Sequence, residues 1–191
     1  MEQNERGHRD FAILTRYQAD LLDALMECIF PADDNGPGAR EIGAVFYVDR
    51  LLAQGDSRLE ETYRGALAAI DAWSMADHGR PFTQLDADLQ IQILVSLEHD
   101  EVPGSLNPED RRYLNGEFFE MLRMQTLEGI FGDPAHGGNR GLLGWRLLGY
   151  LGPQPGYSQA EQQLNAPIVR DRIVVASDYP DVAKEYANEW R

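Results

Sequence analysis

Thr15-Arg16-Tyr17-Gln18-Ala19-Asp20-Leu21-Leu22-Asp23-Ala24-Leu25-Met26-Glu27-Cys28-Ile29-Phe30-Pro31 decides the fold class. Thr15 is an N-cap residue type, and Tyr17, Leu21, Leu25 and Ile29 recur at helical spacing as one apolar stripe. Pro31 closes the run, because the residue before a proline disfavours the helical region. The same grammar repeats downstream. A second helix is predicted from Ala39 to Gln54, with Gly55 as its stop. A third begins at Ser57, three residues before Glu60 in a capping-box pattern, and carries Tyr63, Leu67, Ile70 and Trp73 up to Gly79-Arg80-Pro81. Asp86 caps a fourth, with Leu89, Ile93 and Leu97 on one stripe. Asn107-Pro108-Glu109-Asp110 opens a fifth: a cap, a first-turn proline and acids at the positive dipole end. It continues through Phe118, Phe119, Leu122, Thr126 and Ile130. A glycine-rich loop and a short helix over 142–148 follow. The tail from Gly152 is Pro/Gly-rich, with helical turns expected over 158–164 and 180–190. Ile173-Val174-Val175 is long enough only for a short strand.

The expectation is therefore an all-α protein. One helical domain over 1–191 holds five to seven helices and a Gly/Pro-rich, loop-rich C-terminal third. Residues 1–12 read as a flexible N-terminus, and 157–191 as an extension that packs on the body or on a partner. With 191 residues, the chain buries about two thirds of its unfolded surface, so a core forms without metal or disulfide staples. The net charge is −15 and the pI about 4.5. Such a chain is repelled by phosphate backbones and anionic lipid, which argues against nucleic-acid partners and membrane-surface roles. No window approaches the length of a membrane span, so direct membrane insertion is not expected. Lys184 is the single lysine among 17 basic residues. The arginine bias suits interfaces, where its planar fork makes several contacts at once.

Cys28 is the sole cysteine, so an internal disulfide and a cysteine-based zinc site are excluded. Its place on an apolar helix predicts a buried, inert thiol. The N-terminus lacks the apolar stretch of a signal peptide and the paired arginines of a twin-arginine signal. The compartment is thus open: the cytoplasm, or the periplasm by co-export with a signal-bearing partner.

Chemistry-bearing motifs are few. His8, His78, His99 and His136 form no metal-ligand pair on one helix, and Glu98-His99-Asp100-Glu101 points its side chains in different directions. Asp33-Asp34-Asn35-Gly36 resembles the opening of a calcium loop, but Pro37 occupies the next ligand position and Ala44 the closing one. Pro31, Asp33, Asp34, Asn35, Gly36, Pro37 and Gly38 are instead read as a structural loop, held by local side-chain to backbone bonds. No phosphate loop, nucleophile elbow or dinucleotide fingerprint is present. No residue is assigned a catalytic, cofactor-binding or metal-binding role.

The most unusual stretch is Gly132-Asp133-Pro134-Ala135-His136-Gly137-Gly138-Asn139, followed by Gly141, Gly144, Trp145, Arg146, Gly149, Tyr150 and Gly152. Asn139 is expected to cap the short helix, and Trp145 and Tyr150 offer large apolar faces. Two readings stand: a tight loop packed on the helical body, or a surface that docks on another protein. In the second, Asp133, His136, Gly137, Gly138, Asn139, Trp145, Arg146 and Tyr150 form the partner interface.

Two blocks resemble the gluconate 2-dehydrogenase subunit 3 family, the gamma or small subunit. One is Ile29-Phe30-Pro31-Ala32-Asp33-Asp34 with Gly36-Pro37-Gly38-Ala39, leading to Phe46-Tyr47-Val48-Asp49. The other is Glu128-Gly129-Ile130-Phe131-Gly132-Asp133-Pro134, His136-Gly137-Gly138-Asn139, Gly144-Trp145 and Gly149-Tyr150-Leu151-Gly152. The likeness covers about Phe11 to Gly156. It implies a non-catalytic subunit whose large partner, a flavoprotein of the glucose-methanol-choline type, holds FAD and oxidises a sugar, sugar acid or polyol. It also implies onward electron transfer to a cytochrome c subunit in many such complexes, and a role for the small subunit in folding, assembly or export. Many relatives carry a twin-arginine signal, which is not found here. Two alternatives stay open: a small enzyme using Asp133, His136 and Asn139, and a chaperone that leaves after assembly.

Overall fold

The computed structural model describes residues 11–154, 156–165, 168 and 172–180. Among these the protein is all-α, with eight helices and no strand. Helix α1 (Arg16–Ile29) begins at Thr15, whose hydroxyl accepts from the Gln18 amide while the Gln18 side chain answers the Thr15 amide. Leu21, Leu22, Leu25 and Met26 face inward and are fully buried. Helix α1 contacts α2 (Ala39–Ile42), α3 (Val45–Leu52), α4 (Ser57–His78), α5 (Ala87–Glu98) and α7 (Gly116–Phe131). Helix α7 also packs on α2, α3, α5 and α8 (Leu143–Leu148). The core is thus an inner pair, α1 and α7, wrapped by the others. Ile42, Val48, Leu52, Tyr63, Leu67, Ile70, Leu97, Leu122 and Ile130 complete it. The four-residue α6 (Pro108–Arg111) packs on α4.

The count reaches eight because two predicted helices are broken. The run from Ala39 to Gln54 divides at Gly43, which takes φ +80° and closes α2 by donating to the Ala39 carbonyl at 2.9 Å. A Cβ at Gly43 would lie 2.4 Å from Cδ of Arg140. The break therefore serves the conformation and also the approach of the C-terminal loop. The run from Pro108 stops at Arg111. Asn115 then caps α7 afresh by accepting from the Phe118 amide at 2.8 Å, and Asp100 takes the Gly116 amide at 2.6 Å. A third correction is local: Asp56, not Ser57, caps α4, accepting from the Arg58 and Leu59 amides.

The N-terminal boundary also moves. Residues 1–10 lie outside the described part, but residues 11 and 12 are held. Phe11 stacks on Phe46 with ring centroids 5.1 Å apart. The amides of Ala12, Ile13 and Leu14 donate to the Asp49 carboxylate at 2.7, 3.0 and 2.9 Å. At the other end, Ile173-Val174-Val175 is not a strand, though the Val174 amide donates to the Leu151 carbonyl at 3.1 Å. The helical turn expected over 180–190 lies outside the described residues beyond Pro180.

Candidate functional site

The two sequence blocks fold against each other. The first is the α1–α2 connection. Asp33 Oδ1 accepts from the amides of Asn35 at 2.8 Å and Gly36 at 3.2 Å, and Oδ2 accepts from Asn35 Nδ2 at 3.0 Å. These donors, the Asn35 side chain foremost, hold the Asp33 carboxyl below its ordinary pKa. Glu27 brackets the loop from outside the motif, accepting from the Ala32 amide at 3.1 Å and the Arg40 amide at 2.8 Å. Arg40 in turn pairs with Asp23 at 2.7 Å. The Asp33 and Glu27 carboxylates are thus turned on local backbone or on a neighbouring side chain.

The second block is built the same way. Asp133 caps the Pro134–His136 turn through Oδ1, which accepts from the Ala135 amide at 2.8 Å. Its Oδ2 accepts from the Ala176 amide, also at 2.8 Å, and so ties the tail to the loop. Gly138 and Gly144 bring backbone onto backbone. A Cβ at Gly138 would lie 2.0 Å from the Gly129 carbonyl oxygen, and one at Gly144 2.0 Å from that of Ile130. Between them sits Asn139, fully buried and in left-handed backbone. Its amide donates to the Gly129 carbonyl at 2.7 Å. Its Nδ2 donates to the Gly132 carbonyl at 2.9 Å, and its Oδ1 accepts from the Gly144 amide at 3.0 Å. Asn139 therefore serves the first turn of α8 from a distance, while Leu142 occupies the cap position.

Trp145 is 3% exposed. Its Nε1 donates to the Phe131 carbonyl at 2.7 Å, and its ring meets Tyr150 edge-on at 5.0 Å. This corrects the reading of Trp145 and Asn139 as side chains presented to a partner: both face inward and are satisfied within the chain. Gly138 is buried as well, and Gly137 is half-buried. His136, Arg146 and Tyr150 are exposed, with Arg146 Nε donating to the Gly141 carbonyl at 3.2 Å. The supposed catalytic trio is not assembled. Asn139 is inside, His136 is outside, and both Asp133 oxygens hold backbone amides.

The blocks meet at several points. Phe30 and Phe131 pack edge-to-face at 5.8 Å. The Tyr47 hydroxyl donates to Glu128 Oε2 at 2.8 Å, and burial together with that carboxylate pushes the phenol up to about 12. Arg140 lies over the Phe46 ring, 4.6 Å from its centre. Leu147 presses on the Asp33–Gly36 turn so closely that a Cβ at Gly36 would lie 2.2 Å from Leu147 Cδ2. Sequence reasoning missed Leu147 and Leu148. Their signal was the helical phase, which turns Trp145 in and the two leucines out.

No group of three or more His, Cys, Asp or Glu among the described residues could hold a metal. No described helix is long and apolar enough to cross a membrane. A cleft of about 470 Å³ opens between α4, α6 and α7, lined by Arg58, Glu61, Arg112, Tyr113 and Phe118 among others. Neither block lines it.

No curated protein and no solved structure matches the chain significantly. The model of one family, described as gluconate 2-dehydrogenase subunit 3, matches residues 16–152. That span runs from the first residue of α1 to Gly152, and so takes in both blocks and the packing that joins them. On this match over most of its length, the chain belongs to the gluconate 2-dehydrogenase subunit 3 family.

Proposed function

We propose that this protein is the small, non-catalytic subunit of an FAD-dependent dehydrogenase complex that oxidises a sugar, sugar acid or polyol. In this reading the large subunit, of the glucose-methanol-choline type, holds FAD and does the chemistry, and a cytochrome c subunit takes the electrons onward. The small subunit supports folding, assembly or export of the flavoprotein. The observation that carries the reading is the use of polar side chains in the two blocks. Asp33, Glu27, Asp133 and Asn139 are committed to the backbone of their own chain. A reactive site keeps such groups directed at substrate; a scaffold turns them inward.

The test is co-expression with the flavoprotein. The complex should oxidise its substrate with an artificial electron acceptor, and the purified small chain alone should not. Turnover by the isolated chain would sink the proposal. A constant one-to-one ratio through size exclusion supports a resident subunit, whereas loss of the small chain after assembly would make it a chaperone. His136 stands on the exposed turn. If that turn shapes the mouth of the partner's active site, His136→Ala changes the Michaelis constant of the complex. An unchanged constant and turnover would leave the turn purely structural.

A further inference from the structure

We propose that the large subunit seats on the face made by the Asp33–Gly36 turn, the outer side of α8 and Tyr150, through an apolar socket rimmed by arginine or lysine. This rests on the subunit reading above and names the surface that would carry it. Leu147, Leu148 and Tyr150 are 36%, 63% and 43% exposed. One exposed leucine on a protein surface is ordinary, but three large apolar side chains exposed within four residues are a concentration of the kind that marks an interaction surface.

The patch is also rigidly backed. Trp145 is buried directly behind it and meets the Tyr150 ring, and the Tyr150 amide donates to the Trp145 carbonyl at 2.9 Å. Asn139 holds the first turn of α8, and Leu147 rests on Gly36. A surface so fixed loses little conformational freedom on binding, which is what a preorganised anchor requires. Among the described residues of the tail, Val174 bonds to Leu151, the residue after Tyr150, and the three side chains are exposed beside it.

Charge selects the occupant. Asp33 and Asp34 stand exposed on the turn that flanks Leu147, in a chain of net charge −15. A second copy of the chain would bring −15 against −15, whereas a cationic rim would be drawn in. Arg146 is the one exposed cation on α8 and fits a single carboxylate on the partner, fixing the register of the complex.

The experiment uses the full-length chain co-expressed with the flavoprotein. Leu148→Asp places a charge at a position open to water, so the isolated variant should keep the wild-type helical signal and Tm. Its affinity for the large subunit should fall at least about thirtyfold, as for the loss of a central anchor worth ~2 kcal/mol. Asp34→Lys should slow association and flatten its dependence on salt. Wild-type affinity in Leu148→Asp would overturn the proposal while leaving the subunit reading intact. A wild-type chain that never associates with the flavoprotein would overturn that reading first. A wild-type dimer made monomeric by Leu148→Asp would assign the patch to a second copy. Truncation after Pro180 that raises binding of a hydrophobic dye, unless Leu148 is Asp, would assign it to the chain's own C-terminus. Either result would overturn the proposal.

Discussion

Asp133 Oδ2 accepts the backbone amide of Ala176 at 2.8 Å, 43 residues along the chain, while Oδ1 closes the turn on Ala135. One carboxylate therefore shapes the Gly-rich loop and fastens the tail to it. The Val174–Leu151 bond is the second fastening, and at Gly152 a Cβ would lie 1.8 Å from the Val174 carbonyl oxygen. Asp133→Ala should release residues 172–179. Hydrogen bonds to a charged group contribute about 1.5–3 kcal/mol, so exchange of the Ala176 and Val174 amides should quicken roughly ten- to a hundredfold. Unchanged protection would show that the tail is held by other contacts.

Trp145→Ala tests core against surface. The indole is 3% exposed and bonded to the Phe131 carbonyl. Its loss should cost about 3–5 kcal/mol of stability in the isolated chain, read by urea unfolding. A variant of full stability that fails to assemble would restore the role of partner anchor.

Asp49 is the N-terminal fastening. It is 6% exposed and takes three successive backbone amides at the entrance to α1. Asp49→Ala leaves the Leu14 amide buried without a partner and lets Phe11 part from Phe46. A cost of about 2–4 kcal/mol is expected, with Asp49→Asn recovering part of it. A change below about 0.5 kcal/mol in thermal unfolding would contradict this account.

Cys28 should be unreactive in the folded chain. Burial, with Glu27 adding and Arg40 opposing, pushes the thiol from its ordinary value of 9.0 to about 11. Its Sγ lies 3.6 Å from Gln90 Oε1. Alkylation at pH 8.5 should be slow until the protein unfolds. Because the folded pKa is raised, the contribution of this group to stability is whole below about pH 9. It is lost as pH climbs to about 11. Cys28→Ser should remove that slope, and fast native alkylation would refute the placement.

Calcium should not alter stability. Both Asp33 oxygens are occupied by Asn35 and Gly36 donors, and no described cluster offers three hard ligands. Tm should agree within error in calcium and in chelator. A rise of several degrees in calcium would reverse the assignment of this turn as structural.

The helices were legible where local chemistry is self-contained. Thr15 with Gln18, Asp86 before Leu89, and Pro31 after α1 act within one turn of chain. Legibility failed where a distant segment intervenes. Gly43 looks tolerable inside a helix until Arg140 is seen lying against it. The run after Pro108 looks continuous until Asp100 takes the Gly116 amide. At the candidate site, the sequence marked the right segment but not the direction of its side chains. Trp145 and Tyr150 are equally plausible anchors by type. Only the burial of one and the exposure of the other distinguishes them, and that is set by α7, outside the segment.

The close seating of Gly138 on Gly129 and of Gly144 on Ile130 bears on how this architecture can be altered. With carbonyl groups where side chains would stand, the loop has no thickness of its own and borrows its shape from the helix beneath. It is therefore not a transplantable module. A graft of residues 132–150 into another helical host would arrive without its mould, whereas moving 27–52 together with 116–152 carries both halves. Natural variation should follow the same rule, with lengths changing in the α3–α4 and α5–α6 connections and scarcely at all here.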